Sequence, residues 1–181
     1  MNAFSYMDYT FKVFMQAAAR ENYFNNTLFV FVGDHGIRGN AREMMPRVWT
    51  DQGLTTQHVP LLFYAPWLKP GVSEKKVSQV DILPSVCRLA GIPVSNYSLG
   101  RNVFAREGDT TITGDHTFVT DPDMKIIGLL CRRYFYRYEL LTGKENVYSL
   151  LDNRPIPPGE PGDSLLSLMR NLTLGYYETS R

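Results

Sequence analysis

The chain has 181 residues, of which 44% are hydrophobic and 20% charged, with a formal net charge of +1. This is the balance of an ordinary globular domain with enough apolar content for a core, and the near-zero charge gives no reason to expect nucleic acid as a partner. No apolar run reaches the roughly 18 residues of a membrane span, and Met1, Asn2, Ser5 and Asp8 do not make the basic-then-apolar start of a signal peptide.

Residues 3–20 predict an amphipathic helix, because Phe4, Met7, Phe11, Phe14 and Ala18 recur at helical spacing while Asp8, Lys12, Gln16 and Arg20 lie mostly off that stripe. The stretch from Asn22 to Asn26 breaks it. Thr27 to Val32 is a short continuous apolar run, which reads as a strand buried on both faces in a parallel sheet covered by helices. It stops at Gly33-Asp34-His35-Gly36. Residues 37–57 show no strong period and read as a long loop holding at most one helical turn; a loop of that length in a compact domain is usually functional or disordered. Val59 to Tyr64 is a second apolar run, with Pro60 at its start where a missing N–H is tolerated. The intervening segment is long enough for a crossover, so the two strands are expected to be parallel neighbours.

Asp81-Ile82-Leu83-Pro84 opens a further helix, with Asp81 as N-cap, Pro84 in the first turn, and Val86, Leu89 and Ala90 as its apolar face. Gly91 ends it. The order α, β, loop, β, α implies a layered α/β domain over residues 1–105. Residues 106–181 differ. Thr110–Thr113, Lys125–Cys131, Tyr134–Leu140 and Val147–Leu151 read as a small antiparallel sheet, with a turn at Gly143. Asp163 can cap a last helix bearing Leu165, Leu166, Met169 and Leu172. Cys87 and Cys131 lie in apolar segments and read as two buried thiols.

The chemistry concentrates after the first strand. Sites in open α/β sheets form at the carboxyl ends of strands, and Asp34-His35 sits there. A carboxylate beside an imidazole can ligate a divalent cation that accepts both oxygen and nitrogen; the alternative is a solvated Asp and a hydrogen-bonded His in a turn. Gly33 and Gly36 allow a sharp bend around the pair. His58 precedes the second strand, either as a structural residue or folded back over the same site. Arg38 and Arg42, on the loop, are either solvated charges or partners for an anionic substrate. Asp115-His116 repeats the Gly-Asp-His triplet after a polar segment and reads as a surface turn.

The blocks NTLFVFVGDHG, HVPLLFYAP and VSQVDILPSVCRLAGI, in this order and spacing, resemble the sulfatase domain of the alkaline phosphatase superfamily over roughly residues 1–105. Gly33-Asp34-His35-Gly36-Ile37 followed by Asn40, and the stretch from SQVDILP to SLGRNVF, are similar to the lipoteichoic-acid-synthase-like, or phosphoglycerol transferase, branch. The resemblance implies an α/β/α three-layer sandwich with a mostly parallel sheet, joined to the small antiparallel sheet and terminal helix. It assigns Asp34 and His35 to a divalent metal (Mn, Zn or Ca) and His58 to the transferred phosphate or sulfate or to a second metal; Arg38, on the loop, is the further candidate to meet an anionic ester substrate such as a phospholipid headgroup, glycan or sulfate ester. Asp81 and Pro84 become structural.

Members of that family carry a further acidic ligand and a Thr, Ser or formylglycine nucleophile in an N-terminal half. Nothing before Asp34 here supplies either, so no catalytic nucleophile is assigned and the chain is expected to be the C-terminal part of a longer domain, inactive alone. The resemblance further implies a membrane-anchored parent with this domain periplasmic or extracellular. A true sulfuric-ester hydrolase and a non-catalytic sulfatase-like binding module are the alternatives.

Overall fold

The computed structural model describes residues 2–105 and 115–180, without the side chain of Arg42. The chain divides into two compact units, neither contiguous in sequence: Met1–Val32 with Pro60–Val72, and Gly33–Val59 with Ser73–Arg181.

In the first unit, α1 (Ala3–Ala18) is capped by Asn2, whose side chain accepts from the Ser5 N–H at 2.9 Å. The expected stripe does pack, but only in its second half. Phe11 meets Phe31 with ring centroids 4.7 Å apart, Phe14 meets Phe29 at 6.2 Å, and Ala18 is buried. Phe4, Met7, Phe11 and Phe14 all remain exposed, and of the stripe only Ala18 is buried.

Strands β1 (Phe29–Val32) and β2 (Leu61–Tyr64) are neighbours, but antiparallel, with Val32 opposite Leu61 and Phe29 opposite Tyr64. The parallel expectation is therefore corrected. The chain leaves β1 at Val32 and re-enters β2 at the partner position Leu61, so its long excursion begins and ends at the same end of the pair and makes no crossover. Burial on both faces is corrected too: Val32, Leu62 and Tyr64 are exposed. An unbroken apolar run reports hydrophobicity, not coverage.

The second unit is built on an antiparallel meander of β3 (His116–Asp121), β4 (Ile126–Cys131), β5 (Tyr134–Glu139) and β6 (Glu145–Ser149). Three of its strands fall where the sequence places them, and the turn at Gly143 forms with φ +68°. The fourth strand is β3; the Thr110–Thr113 expectation lies outside the described residues. Both faces of the sheet are covered. On one, Leu129, Tyr134, Tyr136 and Cys131 pack against Met169 of α4 (Asp163–Thr179). On the other, Val119, Leu130, Phe135 and Leu150 pack against Leu54, Val48 and Trp49.

That second layer comes from the segment expected to be loop. It contains the short helix α2 (Arg47–Asp51) and two 3₁₀ turns, Arg42–Met44 and Leu54–Thr56. Its hydrophobic residues are few and spaced by turns, which leaves no period to detect.

Helix α3 (Ile82–Leu89) ends as expected. Gly91 has φ +67°, the Ile92 N–H bonds the Cys87 carbonyl and the Gly91 N–H the Arg88 carbonyl, which together close the helix end. Its start differs. The cap is Ser78, ahead of a 3₁₀ turn at Gln79–Asp81, and Asp81 is the acidic partner of a reciprocal capping box. The buried face is Pro84, Ser85 and Cys87 rather than Val86, Leu89 and Ala90. At α4 the cap is Gly162, and Asp163 occupies the first turn, where a carboxylate favours the helix dipole. Cys87 and Cys131 are free and buried, and burial pushes the Cys131 thiol up.

Candidate metal centre and its surroundings

The Gly33–Gly36 turn is held from two sides within the second unit. The Gln79 side-chain amide donates from Nε2 to the carbonyls of Gly33 and Asp34, at 2.7 and 2.9 Å. The Gly36 N–H donates to the Thr56 carbonyl at 2.8 Å. A Cβ on Gly36 would stand 2.1 Å from the Thr55 carbonyl oxygen and 3.1 Å from that of His58. Glycine is needed there because two backbones touch, not to reach a positive φ.

The side chains of the turn face solvent. Asp34 Oδ2 and His35 Nε2 lie 3.6 Å apart, with side chains 90% and 77% exposed. Asp34 Oδ1 accepts from the His35 backbone N–H at 2.9 Å. That bond, then the charge of the His35 ring when protonated, hold the Asp34 carboxyl below the usual range, so it is ionised at neutral pH. His35 Nδ1 lies 3.0 Å from the Gly36 carbonyl. A carbonyl only accepts, so Nδ1 is the donor in this contact.

This geometry fits a cation. Two ligand atoms each about 2.1 Å from one ion, at a near-tetrahedral angle, stand about 3.5 Å apart, close to the separation seen. The remaining atoms of both side chains are already engaged in the bonds that orient metal ligands elsewhere. One carboxylate oxygen and one imidazole nitrogen suit zinc or manganese better than calcium, which prefers oxygen alone. Among the described residues, no three His, Cys, Asp or Glu side chains converge as a metal set; the turn brings two side chains of ligand type together.

The other anticipated residues are placed as follows. His58 is exposed, with its ring 5.4 Å from that of Trp49 in α2, and its backbone runs beside Gly36. Arg38 donates to Asp121 Oδ2 at 3.0 Å and keeps 63% of its side chain exposed. The Arg42 side chain lies outside the described residues.

The surface-turn reading holds for Asp115, exposed in a bend, but not for His116. Asp115 bonds the backbone N–H and the ammonium of Lys76, at 2.9 and 2.7 Å. His116 opens β3 and is 3% exposed, with its Nε2 3.3 Å from Tyr176 Oη. Burial, then the Arg101 guanidinium, push the His116 pKa down. His116 and Phe118 are two apart in a strand and share a face, and both rings lie against Tyr176.

A polar cluster invisible to the sequence sits beneath Gln79. Asp81 is 1% exposed. Its carboxylate accepts from the backbone N–H groups of Ser78 at 2.8 Å and Arg101 at 2.6 Å. Arg101 Nη2 in turn donates to the His116 carbonyl at 2.6 Å.

Comparison with known proteins bears on this arrangement. The sulfatase family model matches residues 1–92. Lipoteichoic acid synthase 1 of Bacillus subtilis (strain 168) is 28% identical over 114 residues, covering 59% of this chain and 18% of that protein. Lipoteichoic acid synthase 2 of the same strain is 27% identical over 151 residues, 77% of this chain and 22% of that protein. The chain thus spans about a fifth of the curated relatives it matches. Among solved structures, Ps i-CgsB aligns with a TM-score of 0.59 at 16% identity, over 91% of this chain and 40% of that one. A 2-O GAG sulfatase aligns with a TM-score of 0.54 at 20% identity, over 92% and 39%. These structures share the fold, the family model covers half of the sequence including the Asp34-His35 turn, and the chain belongs to the sulfatase family.

Proposed function

We propose that this chain supplies two metal ligands, Asp34 and His35, to a sulfatase-family enzyme acting on phosphate or sulfate esters, with phosphoglycerol transfer as the reaction. The observation that carries the reading is the approach of Asp34 Oδ2 and His35 Nε2, 3.6 Å apart on one exposed turn. The names of the relatives at 25–28% identity favour the transferase over the sulfuric-ester hydrolase, since the sulfatase structures, at 16–20% identity, speak only to fold.

Asp34 and His35 would hold a divalent cation (Mn, Zn or Ca), which, when bound, would supply charge neutralisation on the transferring group and a lowered pKa for the attacking hydroxyl. Asp34 contributes an anionic oxygen and His35 a neutral nitrogen. His58, exposed on the strand-entry side of the same turn, and Arg38 contact the anionic ester. Asp121 holds one end of the Arg38 guanidinium, and its other N–H groups remain for phosphate or sulfate oxygens. The nucleophile and a further acidic ligand come from sequence outside these 181 residues, in a parent with this domain periplasmic or extracellular. No helix among the described residues is long and apolar enough to cross a membrane.

The test is a parent polypeptide carrying the remainder of the domain, assayed with bis-p-nitrophenyl phosphate, p-nitrophenyl phosphate and p-nitrophenyl sulfate. Metal-dependent turnover of the phosphodiester, lost in His35→Ala, supports the transferase. Turnover of the sulfate ester alone supports the hydrolase. Metal binding with no turnover of any supports a binding module.

A further inference from the structure

We propose that Gln79 is the positioning residue of the metal turn: its side-chain amide, forked onto the carbonyls of Gly33 and Asp34, fixes the backbone from which Asp34 and His35 present their ligand atoms. This rests on the metal reading of those two residues.

The fork has a defined sense. Both acceptors are carbonyls, so the donor is the NH₂ group, and each of its two hydrogens has one partner, at 2.7 and 2.9 Å. With both carbonyls turned toward Gln79, the two peptide planes around Asp34 are set together. The intraturn bonds, His35 N–H to Asp34 Oδ1 and His35 Nδ1 to the Gly36 carbonyl, are local and cannot by themselves fix the turn against the rest of the fold. The Gly36 N–H to Thr56 bond anchors only the far end. Gln79 supplies the near end, from 45 residues away in sequence.

Gln79 can serve as an anchor because it is itself held. It is the first residue of the 3₁₀ turn closed by the Ser78–Asp81 capping box, and Asp81 is buried and bonded to Arg101. The chain of contacts runs from a buried ion pair, through a capped turn, to the two ligands. Gln79 is exposed, so replacing it opens no cavity. Orienting partners of metal ligands typically change affinity by 10–100-fold.

The experiment compares wild type, Gln79→Ala, Gln79→Glu and Gln79→Lys in the 181-residue chain, with Mn²⁺ alone as probe. Two readouts are used: Mn²⁺ affinity by electron paramagnetic resonance, and metal-free backbone order by ¹⁵N relaxation. The expected result is a fall in order parameter at Asp34 and His35 from about 0.85 to about 0.6 in the Ala and Glu variants, with about 10-fold weaker Mn²⁺ binding. Lysine, whose ammonium can reach the same carbonyls, restores the order. The Glu variant separates positioning from charge. An added carboxylate near a cation raises affinity if only electrostatics matter, and lowers it if the lost donor frees the turn. Unchanged order in both the Ala and Glu variants overturns the proposal, as does lost order with unchanged affinity. A wild-type chain with an ordered turn that binds no Mn²⁺ instead overturns the metal reading.

Discussion

The Asp81 carboxylate, just before α3, and the Arg101 guanidinium, in the segment that follows it, lie 3.6 Å apart, with side chains 2% and 14% exposed. Each has further partners: Asp81 accepts two backbone N–H bonds, and Arg101 reaches the carbonyls of Lys76 and His116. A buried pair is strongly destabilising to break from one side, because the remaining charge loses its partner.

Asp81→Ala is therefore expected to destabilise the chain by about 3–5 kcal/mol, read as a lower urea midpoint. Arg101→Met in the Asp81→Ala background should recover part of that loss. Additive effects of the two substitutions would show that the pair is not coupled.

His116 makes stability depend on pH. Its folded pKa is lowered from the ordinary 6.5 by burial and then by Arg101, against smaller opposing contributions from Asp81 and Asp115; Tyr176 is the facing group from α4. The folded chain resists protonation, so below pH 6.5 the unfolded chain binds more protons. The contribution is fully present above that pH and is lost as pH falls beneath it. Urea midpoints at pH 7.5 and 5 should differ more for wild type than for His116→Gln, which keeps a polar side chain but cannot titrate. An equal difference in both would place the effect elsewhere.

Gly36→Ala brings a methyl to 2.1 Å from the Thr55 carbonyl, a backbone atom that cannot swing aside. We expect a loss of about 1–3 kcal/mol, the usual effect of overpacking, with faster amide exchange at Gly36, whose N–H is held by Thr56. Full stability in this variant would show that the two segments separate easily.

The 181-residue chain is expected to bind Mn²⁺ or Zn²⁺ weakly, since two protein ligands leave most of the coordination sphere to water. Asp34→Ala should abolish that binding. The same chain should turn over neither p-nitrophenyl phosphate, bis-p-nitrophenyl phosphate nor p-nitrophenyl sulfate. Metal-dependent turnover lost in Asp34→Ala would mean that this chain carries a nucleophile of its own.

What the sequence determined alone is what is written within a few residues. The helical spacing of Phe4, Met7, Phe11, Phe14 and Ala18 specified α1, Gly91 specified the end of α3 by its positive φ, and alternation in Tyr134–Leu140 specified a strand of the C-terminal sheet. The adjacency of Asp34 and His35 on one turn is likewise local. The direction of β2 against β1 was not, since it depends on where the chain returns after 28 residues (33–60), and a continuous apolar run is compatible with either sense. Nor was the burial of His116, which requires α4 to pack on β3, or the pairing of Asp81 with Arg101 across 20 residues. The fork from Gln79 to the Gly33–Gly36 turn belongs to the same class: hydrogen bonds between distant segments have no local signature, and only the tertiary fold brings donor and acceptor together.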